Sequence, residues 1–258
     1  MQTTLSPALA VLLDRFIDYA GLFPPAALNL SKTIENYDDY RLGQYAWMLR
    51  HLVIPAKELA SVPTSFAGSL SVLSEQDESR AQAIETKSIV TSKSPVYCEV
   101  ASGDIDQLSA IKAAGCFAKL RTGGLTPDAI PAPAVVANFI HDCAVRKLAF
   151  KLTAGLHHPI RADQSLTYET NPPRATMHGF LNVLMASAFA WQGFDANEIE
   201  AIVAETDPSA FKFTDRAFWR DRSLSVDEVK DARLNFMHSV GSCSFEEPVH
   251  DLKVLHLI

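Results

Sequence analysis

The feature that most constrains this 258-residue chain is an alternation. Short apolar runs, three of them closed directly by proline, glycine or a charged side chain, take turns with longer segments of helical period. Residues 46–54 close at Pro55. Residues 66–73, 89–91, 96–100, 116–122, 148–153 and 211–214 give further strand candidates. Between and after them, residues 104–114, 133–146, 176–191, 195–206 and 225–237 read as helices, and residues 75–86 as a polar helical segment. Gly115 closes the first of these helices. Thr176 and Asp195 cap the third and fourth, and Ser225 with Glu228 forms a capping box for the last. Strands that alternate with helices must bury both sheet faces, which predicts a parallel sheet with crossover helices.

Seven or eight strands fit a closed (β/α)8 barrel of the TIM type. The stretch between Ile89 and Val96 is too short for a crossover helix, so the barrel is expected to be irregular there. An open doubly wound sheet is the alternative, although no G-x-G-x-x-G supports a dinucleotide site. Residues 7–19 are expected to form a helix, with Leu9, Leu12, Leu13, Phe16 and Ile17 on one face. Residues 31–43 form a second, capped by Ser31. The reading is therefore one barrel-like domain over residues 1–258, with residues 1–43 as an N-terminal helical segment packed on it.

Hydrophobic residues make up 48% of the chain, enough for a large core without covalent staples. A net charge of -7 argues against nucleic-acid partners, which call for a basic surface. Cys98, Cys116, Cys143 and Cys243 show no C-x-x-C spacing, which suits a reduced compartment. The N-terminus lacks the basic start of a secretory leader. The apolar run 9–13 is interrupted by Asp14 and Arg15, and no segment approaches a membrane span. A cytoplasmic location without membrane partners is expected, and homo-oligomerisation stays open.

Three strands finish on polar groups: Tyr97 and Glu99, Lys119 and Arg121, Lys151 and Thr153. Strand side chains alternate, so each pair shares a face. Cys98, Ala118, Leu120 and Leu152 suit the helix-facing side, which turns Glu99, Lys119, Arg121 and Lys151 into the barrel near its mouth. Three cations against one carboxylate leave an excess of positive charge, which a phosphate- or carboxylate-bearing ligand would balance. Gly123 and Gly124 add backbone that a ligand can approach. Inward ion pairs that fix strand register are the competing reading of the same residues.

A lysine crowded by cations has a lowered pKa and attacks carbonyls. Lys151-Leu-Thr-Ala-Gly155 resembles the lysine-bearing strand end of the deoxyribose-phosphate aldolase group, K-T-S-T-G. Lys119-Leu-Arg-Thr-Gly-Gly124 resembles that group's second lysine segment, K-A-S-G-G, with one residue more and with the order of the two segments reversed. The resemblance implies a barrel in which Lys151 is the Schiff-base lysine. Y-A-G-L-F-P-P-A, T-A-G-L-H-H-P and G-S-C-S-F-E-E-P together resemble segments of a bacterial family, a resemblance that implies no activity.

His157 and His158 follow the third strand and are candidate general acids or bases, with Arg161 and Thr153 as further anion contacts. A metal-dependent hydrolase using His157, His158 and His178, with Glu99 or Glu246, is an alternative, although H-E-x-x-H and H-x-H are absent. Cys243 is either a nucleophile with a nearby histidine or a packing residue. Residues 163–174 form a long loop that suits a lid. The expectation is an enzyme of lyase or isomerase type acting on a small anionic carbonyl metabolite. It has no obligatory cofactor, and a metal ion is kept as an alternative. Lys151, Glu99, His157 and His158 are the catalytic candidates. Lys119, Arg121, Thr153, Gly123, Gly124 and Arg161 are the binding candidates. A non-catalytic barrel for anionic ligands is the remaining alternative.

Overall fold

Eight parallel strands hydrogen-bond edge to edge until the last meets the first. The computed structural model describes residues 5–101 and 104–258, so the first four residues, part of the N-terminus read for a leader, lie outside the described residues. The barrel strands are β1 (Ile17–Tyr19), β2 (Leu49–Pro55), β3 (Leu70–Leu73), β4 (Ala83–Thr86), β5 (Val96–Glu99), β6 (Phe117–Arg121), β7 (Phe150–Thr153) and β13 (Met237–Ser242). Between β7 and β13 the chain makes a hairpin, β8 (Ala162–Ser165) with β9 (Arg174–Met177), and a three-stranded antiparallel sheet. That sheet consists of β10 (Phe211–Phe213), β11 (Arg216–Trp219) and β12 (Arg222–Ser225). The closed (β/α)8-type barrel holds, and the open sheet does not form.

The helices are α1 (Pro7–Leu13), α2 (Leu30–Leu42), α3 (Ile105–Ala113), α4 (Pro133–Arg146), α5 (Phe180–Trp191), α6 (Ala196–Ala204), α7 (Val226–Asn235) and α8 (Glu246–Val254). No α-helix bridges β2 to β3, β3 to β4 or β4 to β5, so the irregularity expected near residue 91 extends over three crossovers. α4 carries Val136, Phe139, Ile140 and Cys143 on its buried face, the i, i+3, i+4, i+7 stripe of a helix packed on one side. α5 is buried nearly all round because α4, α6 and α7 surround it. Ser225 and Glu228 close the expected capping box, with the Glu228 N–H donating to Ser225 Oγ at 3.2 Å. Among the described residues, no helix is long and apolar enough to cross a membrane.

Several expectations change. The helix over 7–19 stops at Leu13, because Arg15 takes a left-handed turn with φ 45° and donates its N–H to the Trp47 carbonyl. Ile17–Tyr19 then pairs with β2 on one edge and β13 on the other, so residues 1–43 contain a barrel strand and are not an appended helical segment. Two rows of sheet hydrogen bonds outweigh the helical spacing of Phe16 and Ile17. α2 is capped by Asn29 instead of Ser31, with Asn29 Oδ1 accepting from the Lys32 N–H at 2.8 Å. The helix expected over 75–86 is replaced by a turn and β4, and residues 89–91 are loop. Residues 174–177 pair in a hairpin, so α5 begins at Phe180 after Gly179.

Two register irregularities shape the barrel interior. Ile17 to Tyr19 spans two residues where Leu49 to Leu52 spans three, and Phe150 to Leu152 spans two where Met237 to Val240 spans three. Such bulges re-aim side chains. Arg50 and His51, neighbours on β2, both bond inside the barrel, as do His238 and Ser239 on β13.

Candidate active site

The C-terminal mouth of the barrel opens into a cavity of about 560 Å³. Its floor is a cluster of two lysines and three carboxylates, of which Asp18 stands just behind the lining. Lys119 on β6 and Lys151 on β7 stand opposite one another in register. Lys151 Nζ lies 2.5 Å from Asp18 Oδ2 and 2.7 Å from Glu85 Oε1. Lys119 Nζ lies 3.0 Å from Glu99 Oε2 and 3.4 Å from Glu85 Oε2. Glu85 therefore serves both amines, and Ser71 Oγ donates to its Oε1 at 2.7 Å.

Asp18 is almost completely buried and fully engaged. It accepts from Ser239 Oγ at 2.6 Å and from the His51 N–H at 3.1 Å, and His51 Nδ1 lies 3.2 Å from Oδ1. Below this layer, the Arg50 guanidinium donates to Ser239 Oγ and to the Tyr97 hydroxyl, and the Tyr97 hydroxyl meets His238 Nδ1 at 2.8 Å. Tyr97 shares the inward face with Glu99 but sits deeper and lies outside the cavity lining.

The electrostatics reverse one expectation. Burial alone would lower the Lys151 pKa, but the charges of Asp18 and Glu85 outweigh it and raise the value, so this amine is held as an ammonium. Burial would raise the Glu85 carboxyl, but Lys151 and Lys119 pull it down to about 2. Asp18 is likewise held well below the ordinary carboxylate range against its burial, chiefly by Lys151. Strand alternation alone finds one carboxylate at the floor. Asp18 and Glu85 make three, and the expected excess of positive charge on the floor is absent.

Free cationic charge lies higher, at the mouth. Arg121 and Lys87 are exposed, line the cavity, and make no ion pair among the described residues. Thr153 and Gly124 also line it. Gly123 contributes to packing and not to the lining. A Cβ there would stand 2.9 Å from Gly155 Cα, so the bare backbone lets the turns after β6 and β7 touch. Arg161 also lies outside the lining, its N–H donating to Asn182 Oδ1 at 3.0 Å.

The histidine pair reaches the rim. His157 Nδ1 lies 3.1 Å from Glu247 Oε2, and His158 Nδ1 lies 2.6 Å from Asp251 Oδ2. The two acids sit one turn apart on α8, so one helix holds both rings. His178 is buried elsewhere, its Nε2 2.8 Å from the Pro131 carbonyl. The three histidines thus face three different partners, and among the described residues no group of three or more His, Cys, Asp or Glu side chains is arranged to hold a metal ion. From the expected lid, Ser165, Leu166, Thr167 and Tyr168 form part of the wall.

Sequence reasoning missed Asp18, Glu85, Lys87, Tyr168, Glu247 and Asp251. Asp18 in F-I-D-Y-A and Glu85 in A-I-E-T carried a usable signal. A carboxylate flanked by apolar residues in a short strand has to find a cation.

The fold and this cluster together define a parallel β/α barrel with a lysine–carboxylate floor and a histidine rim. Comparison with protein-family models, with curated protein sequences and with solved structures gives no match.

Proposed function

We propose that the protein is a lyase or isomerase acting through an amine on a small carbonyl compound that bears a phosphate or carboxylate. The observation that supports this best is the shared carboxylate: two lysines in register on adjacent strands, both reaching Glu85 at the floor of one cavity. Lys151, clamped at 2.5 and 2.7 Å and held charged, suits the role of a fixed cation better than the Schiff-base role expected for it. Lys119 has longer contacts and a partner, Glu99, that is itself partly open to the cavity.

In this reading Lys119 passes a proton to Glu99 and attacks the substrate carbonyl. One proton of the attacking nitrogen moves to the carbonyl oxygen, Glu99 returns the other to it, the oxygen leaves as water, and a protonated Schiff base remains. Lys151 stabilises negative charge that develops beside it. Arg121 and Lys87 hold the substrate's anionic group at the mouth, and His157 or His158 moves protons at the rim.

Trapping tests this. The protein is incubated with borohydride and a panel of keto acids and sugar phosphates, and modified peptides are mapped by mass spectrometry. A reduced adduct on Lys119 that survives Lys151→Met in lower yield is the expected result. An adduct on Lys151 alone would exchange the two roles, and no adduct on either lysine across the panel would overturn the reading.

A further inference from the structure

Cys243 follows the last residue of β13 and lines the same cavity as the lysines. Its Sγ lies 3.9 Å from His157 Nε2 and 4.0 Å from Nδ1. His157 Nδ1 in turn lies 3.1 Å from Glu247 Oε2. The Tyr168 hydroxyl donates to the same Glu247 oxygen at 2.9 Å and lies 3.9 Å from the sulfur. Ser242 Oγ is 3.3 Å from His157 Nδ1, and the ring centroid of the next residue, His158, is 6.5 Å from that of His157. A thiol, an imidazole and an orienting carboxylate within contact of one another are the parts of an activated nucleophile. The floor chemistry uses none of the sulfur.

We infer that Cys243, His157 and Glu247 form a second reactive centre at the cavity rim, where the thiol adds reversibly to an aldehyde. The choice of an aldehyde rests on the carbonyl reading of the floor. The sulfur forms a bond to the aldehyde carbon while the π pair moves to oxygen. The proton the thiol gives up passes to His157 and from there to that oxygen, so S–H adds across C=O and no oxidant or reductant enters. Burial would lower the His157 pKa, but Cys243 and Glu247 outweigh it and hold it at about 9, so the ring readily holds the proton that the sulfur gives up. Register gives the spacing. Gly241 pairs with Thr153, which places Cys243 two inward positions nearer the mouth than Lys151. The cavity thus presents an amine floor and a thiol rim to one ligand.

The folded protein is treated with limiting iodoacetamide at neutral pH, and the four cysteines are followed by peptide mapping. Cys98, Cys116 and Cys143 are also buried but lie outside the cavity lining. Cys243 is expected to be alkylated about tenfold faster than any of them, and His157→Asn to remove most of that advantage. If Cys243 in the unsubstituted protein is no faster than the other three, the thiol centre is overturned whatever the variant does. Propanal is then added as competitor. Slower alkylation of Cys243 in both the unsubstituted protein and Lys119→Met supports aldehyde capture by the thiol. Protection that vanishes in Lys119→Met overturns capture at Cys243 while favouring the amine chemistry of the floor. No protection in either overturns the aldehyde assignment and leaves the borohydride experiment to judge the lysines.

Discussion

Lys119 and Lys151 occupy paired positions on β6 and β7, and a single carboxylate, Glu85 on β4, reaches both across the barrel. Each lysine has a private partner as well, Glu99 for one and Asp18 for the other. Removing the shared charge leaves two buried amines with one carboxylate each. Glu85→Gln is expected to lower stability by about 2 kcal/mol, because each amine loses one charge-assisted hydrogen bond while keeping its private carboxylate. Urea denaturation checks this, and an unchanged midpoint would mean that the cluster contributes nothing to the fold.

Titration should show an acid limb and an alkaline limb. Burial, with Arg50 and Arg233 nearby, depresses His238 from the ordinary 6.5 to about 3, and Glu85 is depressed from 4.5 to about 2. Groups with depressed folded values contribute stability above their unfolded values and lose it as pH falls toward the folded ones. The acid limb therefore starts below about 6.5 and steepens below about 4.5. His157 behaves oppositely. Raised to about 9, it contributes fully below 6.5 and the contribution fades between there and 9. Melting temperature against pH should peak near 6.5, and His157→Gln should flatten the alkaline side alone.

The close approach of Gly123 and Gly155 makes a stability prediction independent of charge. Gly155 has φ +77°, and a methyl at Gly123 would press on its Cα. Gly123→Ala is expected to cost about 1–3 kcal/mol, since the backbone of one turn must move away from the other. Chemical denaturation measures it, and a loss below a few tenths would show that the turns separate freely.

Arg121→Ala should leave the melting temperature unchanged, because the side chain is exposed and has no ion-pair partner among the described residues. Binding of inorganic phosphate, measured by calorimetry, should weaken about tenfold, as expected for loss of a bidentate anion contact. Equal phosphate affinity in both proteins would remove Arg121 from the binding role.

Legibility in the sequence followed how each strand begins and ends. β6 and β7 are apolar runs that follow long helical stretches, and their inward lysines could be read from alternation alone. β1 is three residues long and follows α1 through a left-handed Arg15, where a glycine would have marked the turn. β4 sits inside a polar segment with no helix on either side, and β13 mixes polar residues with a glycine. Asp18 and Glu85 lie on two of these three strands. Without these strands the counter-charges are invisible, which is why the sequence alone points to a cationic floor. The rim was half legible: the histidines stood out, but their acids arrive from α8, about ninety residues downstream by the spacing of the ion-paired positions.

Glu247 and Asp251 share one helix, so the two imidazoles are not independently adjustable. A small shift in the seat of α8 would carry both acids with it and move both rings together, while the lysines, whose partners Asp18, Glu85 and Glu99 sit on β1, β4 and β5, would keep them. The rim therefore works as one dial and the floor as a fixed plate, and substitutions under α8 are a route to altering the first without disturbing the second.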